Sequence, residues 1–280
     1  MSHAHNPLQR FFRQPAIYMR LPSAGHTWPA GAIDLPANGE LPVLPMTAMD
    51  EITYRTPDAL FNGEAVVSVI QSCLPNVLDA WAAPSTDVDA MLIAIRIASY
   101  GHSMDIGTQC PACETEAEFG LDLRTVIDRL TAGDYSQPLS IGDLEIYFRP
   151  LCYREMTDNN NLQFEQQKTL NLLADAEAEE SAKVEQINAM MRRIMEITVT
   201  TMAQSIQHIR AREDVVTDQA QIMEFINNCD RAVFGRIKDH VIALRADSEL
   251  RPLDLTCGKC NHQYQQAFTV DMSRFFASDS

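Results

Sequence analysis

Cys110-Pro111-Ala112-Cys113 and Cys257-Gly258-Lys259-Cys260 are two Cys-x-x-Cys pairs set far apart in one chain of 280 residues. Each precedes a run that alternates like a strand. After the first, Ala117, Phe119 and Leu121 share one face and Glu114, Glu116 and Glu118 the other; after the second, Tyr264, Phe268 and Val270 recur at even spacing. A Cys-x-x-Cys turn points two sulfurs to the same side of a tight loop, and a tetrahedral zinc needs two such loops facing each other. The expectation is a structural zinc held by Cys110, Cys113, Cys257 and Cys260, a clamp with a long segment inserted between its knuckles.

Two other uses of such pairs stay open. A redox Cys-x-x-Cys normally opens a helix in positive surroundings, whereas glutamates and a strand pattern follow Cys113. Structural disulfides are the remaining alternative. His262, two residues past Cys260, is read as a surface or strand histidine before a ligand. Cys73, Cys152 and Cys229 are isolated in apolar or helical stretches and read as buried free thiols.

The net charge of −16 and the pI near 4.7 set a surface that repels a phosphate backbone, and no Lys/Arg stripe with interleaved aromatics offsets it. Nucleic acid is therefore not the expected partner. The most apolar run, Ala90-Met91-Leu92-Ile93-Ala94-Ile95, is broken by Arg96 and stops at Gly101, short of the roughly 20 residues that cross a bilayer. With no signal peptide or Arg-rich transit segment, the expectation is a soluble protein of a reducing cytoplasm without a membrane partner.

Along the chain, Met1 to Asn6 reads as a mobile tail and Ala16 to Leu21 as a short strand. Pro22 to Pro45 is Pro/Gly-rich, extended or turning. Thr56-Pro57-Asp58 is a helix start, with the helix running to Cys73. Ser85 or Thr86 caps the next helix, to Tyr100, which is buried nearly all round and stopped by Gly101; Arg96 inside it is read as paired or snorkelling. Leu144, Ile146 and Phe148 alternate as a further strand.

From Leu151 to Phe234 there is neither glycine nor proline, and Gln, Glu, Met, Leu and Ala dominate, so long helices are expected. Ile187, Met191, Ile194, Thr198, Met202, Ile206 and Ile209 recur at steps of three and four as a helix stripe. Leu162, Phe164, Leu170, Leu172 and Leu173 are its natural cover, with a solvated acidic turn from Asp175 to Glu180. Ordinary hairpin core is the first reading; a methionine-rich partner groove of Met190, Met191, Met195, Met202 and Met223 is the second. Two more helices are expected, Asp218 to Asn228 and Arg231 to Ala246.

The fold class is thus α+β and helix-rich, with a small zinc-ribbon-like β element made by two distant knuckles. The division is 1–125, an α+β region with the first knuckle; 126–250, a mainly helical insertion; and 251–280, the second knuckle packing back on the first. There is no phosphate-cradling glycine loop, no His-Glu-x-x-His and no Gly-x-Ser-x-Gly, and the histidines are scattered, with only His3 and His5 close. No catalytic residue is assigned, and an enzyme is not expected.

Leu41 to Glu51 (LPVLPMTAMDE), Thr56 to Gly63 (TPDALFNG), Asp87 to Gly101 (DVDAMLIAIRIASYG) and the Cys-Pro-x-Cys knuckle resemble the baseplate protein family of T-even-like tailed phages. The resemblance covers roughly residues 10 to 125 and extends to the second knuckle. It implies a part in assembly of the central baseplate hub, as chaperone or structural component, with hub or tape-measure proteins as partners. The place of action would be the host cytoplasm during assembly or the virion baseplate. Met46, Met49, Leu60 and Phe61 are candidate contacts for such a partner, with folding core the first expectation for most. A zinc-ribbon module binding nucleic acid or a transcription complex is the alternative function.

Overall fold

The computed structural model describes residues 7–56, 62–175, 180–246, 248–268, 270 and 275–276. The tail with His3 and His5, the helix start at Pro57 and Asp58, Leu60, Phe61 and the middle of the acidic run lie outside them.

Two apolar clusters organise the described chain. A two-stranded antiparallel ribbon, β1 (Ile17–Met19) with β2 (Leu41–Val43), opens the first. Period-two alternation sends Met19, Leu41 and Val43 inward and leaves Tyr18 exposed. The Pro/Gly-rich stretch between them is mostly turns, as expected. Then come α1 (Ala48–Tyr54) and α2 (Glu64–Cys73). Helix α1 was not foreseen, although Thr47 and Asp50 cap it reciprocally. Gly63, at φ 81, caps α2. Asp50 is buried and also binds Arg13, which reaches the carbonyls of Pro45 and Ser72. It belongs to the core rather than to a contact surface. Met46 packs on that core, while Met49 is exposed.

Helix α3 (Ser85–Tyr100) runs through the middle of this cluster and buries every residue from Ala90 to Arg96. Its cap differs from expectation: the N-cap is Pro84, Ser85 and Thr86 are helical, and neither caps by its side chain. Instead Asp87, fully buried in the first turn, accepts from the Ser23 backbone N–H (2.9 Å), the Ser23 hydroxyl (2.5 Å) and the Trp28 indole (2.6 Å). These bonds pin the turn-rich segment onto the helix, and the carboxylate lies at the positive end of the helix dipole. Gly101 ends the helix at φ 89.

The first cysteine hairpin follows, β3 (Ser103–Gln109) with β4 (Glu116–Asp122), and then the short α4 (Leu123–Ile127). The second cluster lies under an antiparallel sheet of order β5-β6-β7-β8: β5 (Leu139–Ile141), β6 (Leu144–Phe148), β7 (Ile206–Ala211) and β8 (Asp214–Val216). Between β6 and β7 stand the long helices α5 (Tyr153–Asp175) and α6 (Glu180–Gln204), packed on each other. Two more, α7 (Gln219–Asn228) and α8 (Arg231–Ala246), close the cluster at the expected positions. The second hairpin, β9 (Leu253–Thr256) with β10 (Gln263–Gln266), comes last. Beyond it Phe268, Phe275 and Phe276 return to the first cluster.

The helix stripe needs correcting at both ends. Helix α6 stops at Gln204, and Ile206 and Ile209 belong to β7. Three residues apart, they both face the core because a register shift lets Phe148 and Tyr147 pair with Ile206 and His208, leaving Gln207 as an extra residue. Among the described side chains of α6 the buried ones are Met190, Ile197, Met202 and Ala203, while Met191, Ile194 and Met195 are exposed, as is Phe164 on α5. Nothing is described of the side chains of Leu170, Leu172, Leu173 and Ile187. Of the three isolated thiols, Cys73 is buried, whereas Cys152 and Cys229 are only partly so.

Candidate metal centre

Each cysteine pair forms the tip of one hairpin, and the two tips have the same backbone. The N–H of Cys110 donates to Thr115 and that of Glu114 to Cys110; equivalently, the N–H of Cys257 donates to His262 and that of Asn261 to Cys257. Glu114 and Asn261, each four residues past the first cysteine, adopt φ 55 and 56. Such a turn folds the chain back in six residues and brings both sulfurs of a pair to one side.

The tips face each other. Cys110 Sγ is 3.7 Å from Cys260 Sγ, and Cys113 Sγ is 3.7 Å from Cys257 Sγ, so each close pair joins one knuckle to the other. All four sulfurs lie within 4.8 Å of one another. A tetrahedral ion with metal–sulfur bonds of about 2.3 Å sets its sulfurs about 3.8 Å apart, so four thiolates in this arrangement fit one ion. A disulfide needs about 2.05 Å, and all seven cysteines are free. His262 is outside the sulfur cluster; its carbonyl serves the knuckle turn and its ring stacks with Tyr264.

Cys110 and Cys257 are buried and Cys260 is exposed, so the site has one solvent-facing edge. The Thr115 hydroxyl, 3.2 Å from the sulfur, and the Thr115 backbone hold Cys113 down at about 6. Backbone N–H groups of Cys260 and Lys259 lower Cys257. Cys260 accepts from the His262 backbone, yet the neighbouring sulfurs push it up to about 12. Four thiolates cannot share this space without a cation to balance them. Behind the sulfurs the hairpins are stitched by Thr108, whose hydroxyl donates to Gln266 Oε1 at 2.9 Å and lies 3.3 Å from the Tyr264 hydroxyl. Thr108 and Thr115 gave no signal in the sequence, since single threonines in strands and turns are ordinary.

Among the described residues this is the only cluster of His, Cys, Asp or Glu able to hold a metal ion. No helix of the described residues is long and apolar enough to cross a membrane. The molecule is therefore an α+β, helix-rich protein in which a zinc-ribbon-like element is closed by two distant parts of one chain. That class is broad, but the sequence itself narrows it. The model of the T4 bacteriophage base plate protein family matches residues 40–277, and the chain belongs to that family. The match runs through both knuckles and everything between them, so the two cysteine hairpins and the chain joining them are parts of one phage baseplate protein. No curated protein and no solved structure matches the chain.

Proposed function

We propose that this protein serves assembly of the baseplate hub, as an assembly chaperone or a structural component, without catalysis of its own. The observation that carries the reading is the family match across residues 40–277, which gives a baseplate role. Hub or tape-measure proteins are the proposed partners, met in the host cytoplasm during assembly. The metal is proposed to be zinc in a structural role: four thiolates with no position left for water or substrate suit a closed site that ties hairpins together. The division into 1–125, 126–250 and 251–280 is retained as the working domain plan. The charge of −16 argues against a nucleic-acid module.

Deleting the gene from its phage tests the reading. Loss of infectious particles with accumulation of incomplete tails is expected, and a normal yield would end the assembly role. Mass spectrometry of purified particles beside infected-cell lysate then separates component from chaperone, since a chaperone is present only in the lysate.

A further inference from the structure

A cleft of about 640 Å³ opens where the first turns of α3, the base of α5 and the stretch after α8 meet, away from the cysteine hairpins. Two residues on α3 line its depth. Thr86 is 5 % exposed, and its Oγ1 has no hydrogen-bond partner. A buried hydroxyl without a partner is costly and uncommon. Asp89, three residues on and so on the same helix face, is half-buried, and desolvation pushes its carboxyl up to about 6. The ion pairs of the described residues all lie elsewhere.

The remaining walls say what would satisfy these groups. Asn159, buried on α5, donates one side-chain N–H to Gln204 at 3.3 Å, which leaves its carbonyl oxygen as an acceptor and one further N–H. Asn160 and Gln163 stand on the exposed rim, and Leu151 and Phe268 add apolar wall. Glu249 on the rim offsets Arg245. An anion would meet Asp89 and Glu249. A bare divalent ion is far too small for the space and would find one deep carboxylate. A guanidinium offers five donors in a plane, and its methylene stem suits an apolar wall.

We propose that this cleft receives the guanidinium of an arginine presented by a partner protein, with Asp89 as its counter-charge and Thr86 and Asn159 as further acceptors. The partner clause rests on the assembly reading; the chemistry of the cleft does not. A basic contact also suits a chain of charge −16, which draws basic partners toward it.

The test titrates the full metal-loaded chain with N-acetyl-arginine methylamide and with its neutral isostere, N-acetyl-citrulline methylamide, following amide NMR signals of residues 85–89 and 159–163. Saturable shifts with the arginine compound are expected, with citrulline at least about tenfold weaker. Asp89→Asn should abolish that preference, and Thr86→Val should weaken arginine binding severalfold. Binding should fade as pH falls through about 6, where Asp89 takes up its proton; Glu249 and Arg245 line the same cleft, and Tyr153, whose hydroxyl burial pushes up to about 12, lies near Asp89. Equal binding of the two compounds, no shift with either, unchanged binding by Asp89→Asn, or calcium saturating these amides while arginine does not would each overturn the proposal. In the phage, a normal titre with Asp89→Asn overturns the partner clause, whereas a normal titre after gene deletion overturns the assembly reading itself.

Discussion

Arg96 donates through Nε to the carbonyl oxygen of Phe275 at 2.8 Å, across 179 positions of sequence. Arg96 is 4 % exposed inside α3, and its guanidinium also lies 4.8 Å from the Tyr100 ring. Phe275 stands edge-on to Phe276, which is edge-on to Tyr54. The segment after the second hairpin is thus anchored in the first core independently of the sulfurs, and the hairpin is held from both sides.

That double anchoring shapes the response to metal loss. Purified protein should carry about one zinc per chain, and Cys110→Ser or Cys257→Ser should lose it. Metal binding is linked to folding, and about 1 kcal/mol moves the melting temperature 2–4 °C in chains of this size, so a fall of roughly 10 °C or more is expected. Elemental analysis and calorimetry check both. A metal-free, reduced wild type of equal stability would remove the clamp from the account.

Ile194 and Ile197 are neighbours on α6 with opposite fates, 42 % and 6 % exposed. Ile194→Asp should change stability by no more than about 0.5 kcal/mol, whereas Ile197→Asp buries an unpaired charge and should cost about 3 kcal/mol or more. Urea titrations followed by circular dichroism compare the two. Equal damage would mean that the exposed side of α6 is covered in solution.

Asp89 gives a pH signature. Its carboxyl is raised from the ordinary value to about 6, so between about pH 4 and 6 the folded state holds a proton that the unfolded state has released. Stability from this group is therefore fullest at low pH and declines as pH rises through 6. Asp89→Asn should match the wild type near pH 4 and exceed it by about 1–2 kcal/mol at pH 7.5. Denaturation midpoints across that range would show it, and a wild type more stable than the variant at pH 7.5 would contradict it.

Gly133 lies against the end of α8. A Cβ built there would sit 2.5 Å from the Leu244 carbonyl oxygen, while the Gly133 N–H binds the Ser248 hydroxyl at 3.0 Å. Backbone cannot yield as a side chain does, so Gly133→Ala should cost about 1–3 kcal/mol. A melting temperature equal to wild type would show that the turn is looser than drawn.

What could be read in advance followed the range of the signal. The knuckles and α3 were legible because a Cys-x-x-Cys pair and an unbroken apolar run state their geometry locally. Strand β7 was not, since a bulge makes Ile206 and Ile209 share a face at a spacing that imitates a helix. The three hydrogen bonds from Ser23 and Trp28 to Asp87 were equally hidden: they join residues about 60 positions apart that carry no mark of pairing. That the two knuckles would meet was foreseen, but not Thr108, Thr115 or the cleft at Asp89.

The clamp also orders events in time. At roughly 5–20 residues per second, the 144 positions separating Cys113 from Cys257 take roughly 7 to 30 seconds to synthesise. During that interval the first knuckle has only two of the four sulfurs, and the chain between must emerge before the second knuckle can approach. Capture of the proposed metal by all four sulfurs would therefore report that the intervening chain has been made and has folded, and the ion would work as a completion seal on a single polypeptide.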